Sequence, residues 1–102
     1  MFRQIKFEEL GETRQFKKKD ETISCATPVR ISWIEGVYQG KPETMSLVGE
    51  ILGKVDIERI RKAIAQREEV NVAIYIEALK TSKGTMFNNV RVYPPKEWRE
   101  VQ

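Results

Sequence analysis

Two runs near the end of the chain alternate in step. In VNVAIYIEAL, residues 70–79, one face holds Val70, Val72, Ile74, Ile76 and Ala78. In MFNNVRVY, residues 86–93, the even positions hold Met86, Val90 and Val92 with Asn88 as the exception, and the odd positions hold Phe87, Asn89, Arg91 and Tyr93. A turn in KTSKG, residues 80–84, joins the two runs into a hairpin. A register that sets Tyr75 across from Asn89 brings Ile74 to Val90, Val72 to Val92 and Ala78 to Met86. A slip of one residue would turn every valine outward, which is costly wherever one face is buried. The pairing therefore predicts a sheet whose even face is core. Its odd face carries Tyr75, Phe87, Asn89, Arg91 and Tyr93 to the other side, which a small antiparallel sheet can leave wet.

The rest of the chain reads around that hairpin. Residues 22–38 and 43–52 are rich in β-formers and are separated by the turn signal Gln39-Gly40-Lys41-Pro42. Together they are expected to supply three strands, with Pro28 at an edge or a break and with help from 2–7. Gly36 and Gly49 lie inside these runs, as bulges or bends of a small closed barrel would require. Asp56 is a good N-cap for a helix over 56–68, with Ile57, Ile60, Ala63 and Ile64 on one face. Residues 1–21 read as an arm or an extra strand, and 94–102 as a C-terminal tail.

The 102 residues make one domain, 40% hydrophobic and 32% charged, as expected of a globular chain. The chain has no histidine and a single cysteine, Cys25. Ser-His and Cys-His nucleophile pairs are thereby excluded, as are an internal disulfide and any site built on several Cys or His ligands. No glycine pattern for phosphate binding and no spaced carboxylate pair is present. The expectation is a non-enzymatic protein without cofactor or metal. Neither a signal peptide nor a membrane-spanning run is legible, so the expected location is the cytoplasm, with no membrane partner.

Net charge is only +3, but Lys80, Lys83, Arg91 and Lys96 follow one another from 80 to 96 without an intervening acid. Bases of a single strand stack on aromatic rings, while Lys and Arg neutralise the phosphates between them. Tyr75, Phe87, Asn89, Arg91 and Tyr93, with Lys80 and Lys83 in the adjoining turn, make the expected surface for this. Trp33 and Tyr38, flanked by Arg30 and Lys41, would extend it from the other hairpin. Trp33 also shares parity with Val29 and Ile31, which reads as packing.

Strands, one helix, then a terminal hairpin is the order of a mainly β, five-stranded antiparallel Greek-key barrel with a helix between strands three and four, the OB-fold. The stretch LVGEILGKVDIERI leading to EEVNVAIYIEALKTSKGTMFNNVRVY, residues 47–93, resembles small OB-fold single-stranded-DNA-binding proteins of bacteria, phages and conjugative elements. The likeness rests on a valine-rich strand, a Lys- and Gly-containing turn, and an aromatic–x–Asn–x–Arg–x–aromatic strand, here Phe87, Asn89, Arg91 and Tyr93. It implies a non-catalytic binder of single-stranded DNA with low sequence specificity, acting in replication, recombination or transfer of a phage or mobile element. RNA stacks in the same way and is the near variant. A small barrel leaves strand edges free, so a homodimer is also expected. The competing expectation is a protein-interaction module, such as a phage-encoded inhibitor or an assembly subunit, with the same rings and guanidinium buried against protein.

Overall fold

The computed structural model describes the backbone of residues 2–80 and 86–99 and the side chains of 2–77 and 89–99. The strands are β1 (Phe2–Leu10), β2 (Arg14–Lys17), β3 (Ile23–Tyr38), β4 (Lys41–Leu52), β5 (Glu69–Lys80) and β6 (Met86–Tyr93). One helix, α1 (Ile57–Gln66), separates β4 from β5, and a single 3-10 turn at Lys96–Trp98 follows β6. Neighbouring strands run β1-β5-β6-β4-β3, and β3 returns to pair with β1, so five strands close a barrel. The short β2 adds to the outer edge of β3. Adjacent pairs are antiparallel except β4–β6, which is parallel and registers Glu50 with Arg91.

In the N-terminal half the strand alternative holds: residues 2–10 are a full barrel strand, paired to β5 along Phe2–Lys6 and to β3 along Lys6–Leu10. Residues 23–38 are one strand, not two. Pro28 does not break it, because it lies where β3 changes neighbour. Residues 23–26 pair with β2, and 29–32 pair with β1. The Pro28 carbonyl accepts from the Gly11 amide at 2.8 Å in the link between β1 and β2. The donor that proline lacks therefore falls at a gap between two partners, where no ladder bond is lost.

The glycines mark how the ring closes. The β3–β4 ladder shifts register between Ile34 and Gly36, a bulge that bends the hairpin. At Gly49 a Cβ would lie 2.9 Å from Val90 Cγ1 and 3.2 Å from the Val90 carbonyl oxygen. β4 and β6 thus approach closely at the seam only because that position has no side chain.

Alternation builds the core. Ile5 and Phe7 of β1, Val29 and Ile31 of β3, Ile51 of β4, Val72 and Ile74 of β5 and Val92 of β6 are all buried in one cluster. Each fully buried aliphatic or aromatic side chain contributes roughly 1.5–3 kcal/mol. α1 adds Ile60 and Ala63 from its apolar stripe, with Ile57 and Ile64 packed beside them. Asp56 caps its start, its carboxylate accepting from the Arg59 amide at 3.1 Å. The β5–β6 hairpin keeps the expected parity but not the expected register: Tyr75 faces Arg91, and Ile74 faces Val92. A shift of two residues leaves every side chain on its face, so hydrophobic pattern alone does not discriminate the two registers. Ile76, expected in the core, is exposed because the hairpin continues past the barrel there.

The segment after β6 is not a loose tail through residue 99. Trp98 is buried, its ring centroid 6.0 Å from that of Phe7. Its carbonyl accepts from the Asp56 amide at 2.7 Å, and Arg99 bridges to Val55. Among the described residues no helix is long and apolar enough to cross a membrane.

Candidate functional site

The odd face of β5–β6 carries Tyr75 and Arg91 as direct cross-strand partners, with Glu77 paired to Asn89 and Ala73 to Tyr93. Directly opposed residues project from the same face. Tyr75 is 49% exposed. On the other side of Arg91 the register partner is Glu50 of β4. A row Glu50–Arg91–Tyr75 therefore crosses three strands on the outside of the barrel.

Beside this row lies a groove of about 610 Å³. Asn89 and Arg91 line it from β6, Glu50 and Leu52 from β4, and Arg14, Phe16 and Lys18 from β2 and the turn after it. The Arg14 guanidinium donates to Glu50 Oε1 at 2.7 Å and stands 5.7 Å from the Phe16 ring centroid. Three cations thus share the groove with one carboxylate. Among the described residues no ion pair engages Lys18 or Arg91.

Local chemistry sets the turn that presents Lys18. The Lys18 amide donates to the Thr22 carbonyl, and the Glu21 amide donates to the Lys18 carbonyl. Asp20 accepts from the Thr22 hydroxyl at 2.6 Å and from the Thr22 amide at 3.1 Å. Those bonds, the hydroxyl's foremost, hold the Asp20 carboxyl below its usual range. Asp20 and Glu21, which follow three consecutive lysines at 17–19, are therefore part of the turn's construction, and Lys18 itself reaches the groove.

The expected site residues separate into groups. Tyr75, Asn89 and Arg91 come together with partly exposed Tyr93, above whose ring the Arg99 guanidinium stands at 5.5 Å. Phe87 lies on β6 opposite Leu79, and Lys80 opposite Met86; the side chains of Phe87 and Lys80 lie outside the described ones, and Lys83 lies outside the described residues. Arg30 is exposed, pairs with Val48 in the ladder, and makes an ion pair to Glu9 at 3.5 Å.

Trp33 requires correction as a stacking residue. It is 8% exposed, its indole N–H donates to Glu35, and the Arg3 guanidinium lies 5.6 Å from its ring centroid. Its parity with Val29 and Ile31 prevails, and the ring belongs to the core. Tyr38 and Lys41 are exposed partners at the tip of the β3–β4 hairpin. At ~3.4 Å per residue they lie roughly 30 Å along β4 from Glu50, so they do not join the groove.

Arg14, Phe16, Lys18 and Phe2 are not among the expected site residues. Arg14 and Phe16 sit two apart in RQFK, the same cation–x–aromatic alternation as Arg91 and Tyr93, and that spacing was the available signal. Phe2 pairs with Ala73, which pairs with Tyr93; its parity with Gln4, Lys6 and Glu8, opposite to Ile5 and Phe7, is the signal that turns it outward. Among the described residues no group of three or more Cys, Asp and Glu side chains is placed to hold a metal ion. Comparison with known proteins finds no matching family model, no matching curated protein and no matching solved structure.

Proposed function

We infer first a class: a barrel of the OB type, built to hold an oligomeric ligand against its outer face. Chain order supports this. β1, β3 and β4 precede α1, β5 and β6 follow it, and the third and last barrel strands run parallel at the seam. In such barrels the ligand lies over the second and third strands, between the loops joining strands one to two and four to five. The groove's lining supports this: Ser24 of β3 and Glu50 and Leu52 of β4 contribute to it, the β1–β3 connection carries Arg14, Phe16 and Lys18, and β6 brings Asn89 and Arg91.

The particular ligand we infer is single-stranded DNA, bound without catalysis and with low sequence specificity. The observation that carries this reading is the direct pairing of Tyr75 with Arg91 beside that cationic groove. Rings stack on any base, and guanidinium and ammonium groups follow the phosphates, so contact tolerates sequence. Protection of exposed strands in replication, recombination or transfer of a phage or mobile element is the role that fits such binding.

Titration of the full chain with oligo-dT at two salt concentrations tests the reading. The expected result is binding at low salt that weakens as salt rises. Absence of binding at low salt overturns it, and a parallel titration with oligo-U separates DNA from RNA.

A further inference from the structure

β3 and β4 leave the barrel together. β1 stops pairing with β3 at Ser32, and β6 meets β4 at Glu50. Beyond those points a two-stranded ribbon runs to the turn Gln39-Gly40, whose residues both have positive φ, 53° and 76°. An isolated two-stranded hairpin is marginal in water. This one nevertheless exposes Val37 at 73% and Tyr38 at 67%, together with Ile34 and Met45. Its acids and bases are few: Glu35, Lys41 and Glu43, with Glu35 already held by Arg3 and Trp33. Ile34, Val37 and Met45 cannot stack on bases, Tyr38 alone among these exposed residues offers a ring, and Glu35 and Glu43 outnumber Lys41, so the ribbon suits a protein partner better than phosphates.

At the foot of the same ribbon lies a groove of about 640 Å³, to which Phe2, Arg3, Lys6, Ile34, Thr44 and Arg67 contribute. Phe2 is 84% exposed. Arg3 donates one guanidinium N–H to Glu35 at 3.2 Å, while its Nε is buried with no hydrogen-bond partner among the described residues. A buried donor left unpaired is unfavourable and calls for an acceptor. The ribbon tip matches this groove in kind: Val37 and Tyr38 offer apolar surface to Phe2 and Ile34, and Glu43 offers a carboxylate to a lining in which Arg3, Lys6 and Arg67 outnumber Glu8 and Glu69, with Glu8 already held by the Ser32 hydroxyl at 2.6 Å. The tip cannot enter its own groove, because the groove lies at its own base.

We propose that two copies of this chain exchange ribbons, each inserting its β3–β4 tip into the groove at the foot of the other's. A two-fold arrangement makes the contact twice and leaves neither ribbon exposed, as closed symmetry requires. Pro42, near the tip, deprives β4 of one ladder donor, a device that opposes open-ended strand addition.

The test is the mass of the full chain in solution, measured by sedimentation and light scattering across micromolar concentrations. The wild type is expected at twice the protomer mass. Val37→Asp with Tyr38→Ser at the tip, and separately Phe2→Asp in the groove, are each expected at the protomer mass with unchanged far-UV circular dichroism, since all three side chains are exposed. Mixing the tip variant with the groove variant leaves one contact intact and restores a weaker dimer. A wild type that stays at the protomer mass, an open series of larger assemblies, or a dimer that survives both variants overturns the proposal. So does a monomeric wild type whose oligo-dT binding is lost in the tip variant, which would assign the ribbon to nucleic acid.

Discussion

Glu50 of β4 and Arg91 of β6 are register partners across the parallel seam of the barrel, and Arg14 reaches the same carboxylate from β2 at 2.7 Å. The carboxylate thus offsets positive charge in the groove where phosphates would lie. Glu50→Gln is expected to strengthen oligo-dT binding by about fivefold at low salt, the equivalent of ~1 kcal/mol for a partly exposed charge pair. Titrations of wild type and variant side by side measure it; unchanged or weaker binding would place the strand elsewhere.

On the proposed single-strand reading, Tyr75 and Arg91 would contribute in separable ways. Tyr75→Ala removes a stacking ring and is expected to weaken binding by ~1–3 kcal/mol at every salt concentration. Arg91→Ala removes a phosphate contact and is expected to lower the slope of log affinity against log salt by about 1. Circular dichroism should remain that of the wild type for Tyr75→Ala, whose ring is half outside the barrel.

Gly49 sets the distance between β4 and β6. Gly49→Ala would place a methyl 2.9 Å from Val90 Cγ1 and 3.2 Å from a backbone oxygen that cannot rotate away. Overpacking of this kind costs about 1–3 kcal/mol. A lower denaturation midpoint at unchanged slope is the expected reading.

Trp98 packs beside Phe7, with the Arg59 guanidinium 4.2 Å from its ring centroid. Trp98→Ala is expected to destabilise by roughly 3–5 kcal/mol, as for other large aromatic truncations in a core. Equilibrium unfolding in urea distinguishes this from the near-neutral result expected of a disordered tail.

Arg59 also donates to both Glu68 oxygens, at 2.9 and 2.7 Å. These bonds, foremost among the causes, hold the Glu68 carboxyl below its usual range and raise that of Arg59. A carboxyl depressed in the folded state binds its proton more readily when unfolded. Its contribution to stability is therefore full above the unfolded value and disappears as pH falls through the folded one. Glu68→Gln should be less stable than the wild type at neutral pH, with the difference closing in acid, as unfolding followed from neutral to acidic pH would show.

Sequence pattern reached the faces of this fold more readily than its connections. The helix was legible from Asp56 and the isoleucine spacing, and the inward valines of β5 and β6 from their shared parity. The hairpin register was not, since shifts of two preserve parity and only the turn decides between them. The single long β3 was hidden by Pro28, whose harmlessness depends on Gly11 lying opposite. Trp98 stood apart from any periodic run, so nothing local marked it as core. At the candidate site, Tyr75, Asn89 and Arg91 could be read from alternation within one hairpin. Arg14, Phe16 and Lys18 join them only through pairings between segments far apart in the chain.

β1 pairs on one side with β3 and on the other with β5, so that residue 2 meets residue 73. During synthesis the first strand must wait for the fifth before it has both neighbours. Pairings so distant along the chain slow folding, because entropy is lost before the contacts are gained. The nascent N-terminal half therefore carries unsatisfied strand edges until the distal hairpin emerges, and that interval is when this chain is most open to aggregation.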